Sequence, residues 1–294
     1  MLKTVAIKKK YGNFLVFEDI SFEVNKGEIV ALIGRNGAGK STLLGIIAGS
    51  INKTYGQVLI EGRDTAKNFD LIRSNVGIQL EKSAFYPHLS IRNNLNFFAN
   101  LKNFSNKGLN DILENFAIHE IKKKFSDLSQ GMKKRMAIAS ALIGDPAILL
   151  FDEPTVNLDP EGIFIFYDII KELKSKRKAI IISSHLLTDI SNIADRIIFI
   201  DRGKIIIDLP KYRVIIPKYV VIRSNYMKES YELLKNKYSD NCVLLQINEI
   251  KMDYKNINME ELNKLLVSHD LPPKELFIEN TTLKDIFDET RKYH

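Results

Sequence analysis

Gly34-Arg35-Asn36-Gly37-Ala38-Gly39-Lys40-Ser41-Thr42 stands between an apolar, strand-like run, Glu28-Ile29-Val30-Ala31-Leu32-Ile33, and a helix-like one, Leu43-Leu44-Gly45-Ile46-Ile47-Ala48. A strand, a glycine-rich turn and a helix in that order make a phosphate-binding loop. Gly34, Gly37 and Gly39 permit backbone torsions closed to residues with a Cβ, so successive amides turn inward toward one anion. The helix that follows points its positive end the same way. Lys40 is expected to bring a compact charge to the β and γ phosphates and the Ser41 hydroxyl to ligate Mg²⁺.

Composition sets the bounds. The chain has 294 residues, 45% of them hydrophobic, enough for one large domain or two modest ones with a real core. No apolar run approaches the roughly 18 residues of a membrane span, and Met1-Leu2-Lys3-Thr4 opens no signal-peptide apolar region, so the expectation is a cytoplasmic protein. The single cysteine, Cys242, excludes an internal disulfide and reads as a small packed hydrophobe. A net charge of +7 suits a polyanionic partner, nucleic acid or an anionic membrane face, without choosing between them. The runs Lys8-Lys9-Lys10 and Lys122-Lys123-Lys124 read as solvated faces.

Residues 1 to about 210 alternate strand and helix signals, with strands expected at Ala147 to Phe151, Ala179 to Ser183 and Arg196 to Ile200. Such short runs, apolar on both faces, suit a buried parallel sheet. From about Phe85 to Gly144 the period becomes helical, with Ile91, Leu95 and Phe98 behind a cap at Ser90, then Ile112, Leu113 and Phe116: an inserted helical subdomain. After Asp208-Leu209-Pro210 a smaller mixed segment, 211–294, is expected, with strands at Tyr219 to Ile222 and Val243 to Ile247 and helices at Lys228 to Tyr238 and Met259 to His269. Thr282 with Asp285 makes a capping box for a last helix.

Two further constellations carry chemistry. Ala147-Ile148-Leu149-Leu150-Phe151-Asp152-Glu153-Pro154 is an apolar strand ending in two acids, the edge at which an α/β sheet places ligand groups. Asp152 is expected to hold Mg²⁺, directly or through water, and Glu153 to orient and polarise the attacking water. Leu128-Ser129-Gln130-Gly131-Met132-Lys133-Lys134-Arg135 precedes an amphipathic helix. Ser129 suits an N-cap, and the same helix start could receive a phosphate from another subunit.

With these three segments in order, residues 1 to about 210 resemble the nucleotide-binding subunit of ATP-binding cassette transporters. The resemblance implies an α/β P-loop NTPase fold: a RecA-like core with an antiparallel β subdomain and an inserted helical subdomain, here followed by a small C-terminal α+β extension. It implies ATP and Mg²⁺ as ligands and two cassettes, as a homodimer, holding each nucleotide between one phosphate loop (Gly34, Asn36, Gly37, Ala38, Gly39, Lys40, Ser41 and Thr42) and the opposite signature segment. That signature is Ser129, Gln130 and Gly131, with Leu-Ser-Gln-Gly-Met in place of the family's Leu-Ser-Gly-Gly-Gln. Tyr11 sits where an aromatic stacks on adenine, although a core or edge aromatic is the competing reading. Asp159 resembles the loop residue that contacts the opposite cassette, and helix capping before Pro160 explains it nearly as well. His185 resembles the switch histidine at the γ-phosphate, which with Glu153 and Lys40 completes the catalytic set. The loop that links nucleotide to membrane partner ordinarily carries a glutamine. Counted back from Phe85-Tyr86-Pro87 its register falls on Glu81, with Gln79 as the alternative, and either oxygen suits Mg²⁺ or water.

Glutamate there, like the altered signature, is similar to export cassettes related to bacitracin and lantibiotic resistance transporters. The resemblance implies a separate membrane permease, an export function and a place at the cytoplasmic face of the membrane. Phe85-Tyr86 with Phe97-Phe98 offers a groove for a short permease helix, unless these rings are core. A soluble cassette ATPase acting on nucleic acid or ribosomes is the alternative, against which weigh one phosphate loop and no long heptad tract.

Overall fold

The computed structural model describes residues 1–80, 85–185, 193–210, 217–238, 243–245, 249–254 and 257–280. Glu81, Cys242 and the Thr282/Asp285 capping box lie outside the described residues. Two compact units divide the chain, Met1–Lys211 and Tyr212–His294, each with its own buried core.

In the first unit, β1 (Leu2–Tyr11) and β2 (Phe14–Val24) form a hairpin, and β3 (Ile29–Ile33) is buried at every position. The phosphate loop leads into α1 (Lys40–Ile47), then β4 (Tyr55–Ile60), the short β5 (Arg63–Asp64), α2 (Phe69–Asn75) and β6 (Val76–Gln79). Helices α3 (Ile91–Leu101), α4 (Asn106–Asn115) and α5 (Gln130–Ala141) follow. The chain then returns through β7 (Ile148–Asp152), α6 (Pro160–Ser175), β8 (Ala179–Ser184), β9 (Arg196–Asp201) and β10 (Lys204–Pro210).

An antiparallel sheet takes the order β2-β1-β4-β5, and a second sheet the order β10-β9-β3-β8-β7-β6, parallel apart from its β10 edge. The sheets do not stack bare. Leu43, Leu44, Ile46 and Ile47 of α1 share one core with Phe17 and Ile20 of the first sheet and Leu32, Leu150 and Ile181 of the second. The apolar character of β3, β7 and β8 on both faces thus reflects covering on both sides. Hydroxyl caps start the inserted helices: Ser90 accepts from Asn93 N, Ser105 from Gly108 N and Ser129 from Met132 N. The insert is pinned to the sheet at Gly77 on β6, where a Cβ would lie 1.9 Å from Ala141 O of α5.

One expectation is corrected in this unit. The run Lys8 to Lys10 is not a solvated face, because Lys9 is buried and its ammonium donates to Asn52 O at 2.7 Å. Lys122, Lys123 and Lys124 are exposed as expected.

The second unit runs β11 (Pro217–Arg223), α7 (Met227–Tyr238), β12 (Val243–Leu245), β13 (Ile250–Asp253), α8 (Met259–Ser268) and β14 (Glu275–Asn280). Its antiparallel sheet is ordered β12-β13-β11-β14, so with two helices the unit is a split β-α-β arrangement. Val220, Ile222, Ile250 and Met252 alternate along their strands to meet Leu234 of α7 and Leu262 and Leu266 of α8. The alternate positions carry charge: Arg223 bridges Glu249 and Glu275. Desolvation pushes the Glu249 carboxyl up, but hydrogen bonds from Lys251 and Arg223 outweigh it and hold the group below the ordinary carboxylate range.

Candidate nucleotide site

The phosphate loop ends β3 at the edge where β7 and β8 also end, because parallel pairing aligns their C-termini: Ile33 stands beside Ser184, and Asp152 beside Ser183. A cavity of about 700 Å³ opens there, bounded by Tyr11, the loop, Gln130, Glu153 and His185. Gly39, the residue before α1, has φ 95°, and a Cβ on it would strike the Phe17 ring at 2.4 Å. Glycine is required at this position twice over, by torsion and by space.

Lys40 is 6% exposed, yet its ammonium is fully engaged: it donates to Gly34 O at 2.7 Å and Arg35 O at 3.3 Å and lies 3.3 Å from Glu153 Oε1. The other Glu153 oxygen meets His185 Nδ1 at 2.8 Å. Lysine, glutamate and histidine from α1, the end of β7 and the end of β8 are therefore joined through one carboxylate. Glu153 adopts φ 47°, a left-handed conformation uncommon for a residue with a Cβ. It is held there by its own N–H, which donates to Ser183 Oγ at 3.0 Å. The Ser183 hydroxyl in turn donates to Asp152 Oδ1 at 2.6 Å. A single buried hydroxyl thus fixes both acids.

Asp152 Oδ2 is buried with no hydrogen-bond partner. A carboxylate oxygen kept dry and unpaired at a strand end is what a hard divalent cation takes, together with a hydroxyl such as Ser41 and phosphate oxygens. Ser41 is exposed on the first turn of α1, at the cavity wall. The donor set accordingly fits Mg²⁺.

The remaining candidates divide. Asn36, Gly37, Thr42 and Gln130 line the cavity, whereas Gly34 and Ala38 form the buried floor of the loop. Tyr11 is half-exposed at the rim, with the Lys9 ammonium 4.2 Å from its ring centroid, so it is not a core aromatic. Ser129 is exposed and caps α5, with Gly131 one step inside the helix. Asp159 caps α6 and also accepts from Arg135 Nη2 at 2.8 and 3.0 Å, away from the cavity wall. Gln79 does not face the cavity: its amide nitrogen donates to Asp152 O at 3.0 Å and Leu80 O at 2.9 Å, and its oxygen is buried without a partner.

Sequence reasoning missed Ser183, Arg135 and Lys134. Their only signals were polar residues at positions that a neighbouring apolar run marks as interior. Lys134 donates to Asp152 O at 3.2 Å, the same carbonyl that Gln79 holds. Arg135, 7% exposed, is kept charged above its usual range: burial opposes this, and the hydrogen bonds it donates to Asp159 and Glu161 outweigh it.

A glycine-rich loop at the head of a parallel sheet, facing an acid pair at the same edge two strands away, at the end of β7, defines a P-loop nucleoside triphosphatase. Residues 17–156 match the ABC transporter family. The chain is 38% identical over 208 residues to the lantibiotic transport ATP-binding protein SrtF of Streptococcus pyogenes, spanning 70% of this chain and 90% of that one. It is 36% identical over 209 residues to the bacitracin transport ATP-binding protein BcrA of Bacillus licheniformis, spanning 70% and 68%. Among solved structures it resembles an ATP-binding subunit of an ABC transporter, with 27% identity and a TM-score of 0.68 over 73% of this chain and 91% of that one. A dimeric bacterial cassette at 24% identity, with a TM-score of 0.67 over 72% and 99%, shares the fold. The chain belongs to the ABC transporter family as an ATP-binding subunit. Among the described residues no helix is long and apolar enough to cross a membrane.

Proposed function

We propose that the first unit hydrolyses Mg-ATP between two copies of itself and that closure and opening of the pair drive export through a separate membrane permease. The observation that carries this reading is the Glu153 carboxylate, shared by Lys40 and His185 at the mouth of the loop. Lys40 leaves its carbonyl partners for phosphate oxygens, which frees Glu153 Oε1 to orient water and accept its proton. His185 stays on Oε2 and fixes the direction of the carboxylate. Mg²⁺, held by Ser41 and Asp152, would neutralise charge on the phosphates. Glu81 belongs to the same proposed metal shell.

Tyr11 offers a ring face for adenine, with Lys9 engaging the ring. Ser129, Gln130 and Gly131, at the start of α5, are assigned to the nucleotide of the second copy, with Asp159 beside them at the cassette contact. The relatives named for lantibiotic and bacitracin transport favour an antibiotic or peptide as cargo. The permease reading rests further on an apolar groove of about 490 Å³ whose walls include Ile78, Leu80, Phe85 and Phe98. Under this proposal the cassette would sit at the cytoplasmic face of the membrane. Tyr86 and Phe97 stand exposed beside it, their rings 5.6 Å apart, so the aromatic cluster is not wholly core.

Glu153→Gln tests the assignment. It removes the base and keeps the shape, so turnover should fall by about 10²- to 10⁴-fold, while ATP is retained and a dimer accumulates on gel filtration. Turnover within a few fold of wild type would sink the role given to Glu153.

A further inference from the structure

The groove is not uniformly apolar. Among the described residues two charged side chains line it, Arg73 and Lys102, and both are cations at the same end, where the wall also borders a smaller polar cavity of about 390 Å³. Arg73 donates to Leu101 O at 2.9 Å. Lys102, just past the C-terminus of α3, is the unusual one: among the described residues its ammonium has a single partner, Val76 O, at 3.3 Å. Asp70 borders the smaller cavity but makes no ion pair with either cation.

The lysine stem is packed deliberately. Gly144, at φ 87°, lies under it so closely that a Cβ there would be 2.7 Å from Lys102 Cδ. Burial pushes the Lys102 ammonium below its ordinary pKa, and among the described residues no anion offsets the loss of water. A half-buried ammonium at the end of an apolar trough thus has, among the described residues, no counter-charge to offset its partial loss of water.

We infer that the groove receives a short apolar helix of the membrane partner that carries a carboxylate, and that Lys102, assisted by Arg73, is the residue that binds this carboxylate. This inference rests on the permease reading and adds to it the chemistry of the partner. Apolar walls supply area, and the paired charge sets register along the trough, since only one position of the helix places acid against ammonium.

The test uses the full chain and its permease, identified by pull-down with wild type and reconstituted in nanodiscs. Affinity is measured for wild type, Lys102→Arg, Lys102→Met and Lys102→Glu, with Phe98→Ser as a control for the apolar wall. Lys102→Arg should bind as wild type, Lys102→Met roughly tenfold or more weakly, and Lys102→Glu more weakly still. Reversal of one acid to lysine in a cytoplasmic loop of the permease should restore binding to Lys102→Glu. Melting temperature guards against misfolding, and Lys102→Met should not lower it, because a desolvated charge is removed. If Lys102→Met and Lys102→Glu bind as wild type while Phe98→Ser does not, or if no acid reversal rescues Lys102→Glu, the carboxylate inference is overturned and the permease reading survives. If wild type binds no membrane protein and Phe98→Ser changes nothing, both are overturned.

Discussion

At the scale of single residues, the site is governed by hydroxyl and ammonium groups that tie the two acids to one another and to main-chain atoms. Ser183 is 0% exposed and serves two acids, donating to Asp152 and accepting from the Glu153 amide. Ser183→Ala would leave a buried carboxylate oxygen and a buried N–H unmatched, at a cost of about 1–3 kcal/mol. It would also release Glu153 from its left-handed conformation. Urea denaturation should show the loss of stability, and turnover should fall while ATP affinity holds, because Lys40 and the loop amides are untouched. A variant with lowered stability and unchanged turnover would show that Ser183 is only structural. Nothing in the sequence marks Ser183 beyond a polar residue closing an apolar strand. By contrast Lys40, Asp152 and Glu153 were legible, since the phosphate loop and the strand-end acids are local patterns with fixed spacing. Register alone set Glu81 above Gln79. The structure shows Gln79 engaged with the Asp152 carbonyl and turned away from the nucleotide cavity, a contact across strands that no local pattern encodes.

Elements are held to one another by two contacts that set the geometry of the site. The first is the close approach of β6 and α5 at Gly77, where even a methyl group has no room. Gly77→Ala should force α5 off the sheet, lowering the melting temperature and carrying Gln130 and Lys134 away from the cavity. The expected readout is weaker ATP retention together with the stability loss, and an unchanged melting temperature would contradict the contact. The second is the start of α6, where Asp159 caps the helix and accepts from Arg135. The hydrogen bond from Arg135 holds the Asp159 carboxyl below its ordinary range, although desolvation works against it. A depressed carboxylate stabilises the fold above its unfolded pKa of about 4, and the contribution fades as pH falls through the lower folded value. The melting-temperature difference between wild type and Asp159→Asn should therefore be level above about pH 5 and close in more acid solution. A difference that widened on acidification would carry the wrong sign for this pair. The caps themselves were readable, as Ser90, Ser129 and Asp159 each precede a helical period, but their tertiary partners were not.

For the whole molecule, the parallel sheet and inserted helices of the first unit followed from alternating strand and helix signals anchored on one motif. The second unit did not yield its topology in the same way. Its strands and helices were recognisable one by one, yet the order β12-β13-β11-β14 depends on pairing between strands far apart in sequence, such as Val220 with Met252 and Ile278. Each unit has a closed core of its own: Leu32, Leu43 and Leu150 in one, Val220, Leu234 and Met252 in the other. Separate cores predict separate folding. Residues 1–211 expressed alone should keep the ATP affinity of the full chain, since every residue assigned to the nucleotide lies within them. Residues 212–294 expressed alone should give a cooperative thermal transition at the position of one of the transitions of the intact chain. If the shorter fragment melts without cooperativity, or if the longer one loses ATP while remaining folded, the second unit is part of the cassette and its role must be sought in nucleotide binding itself.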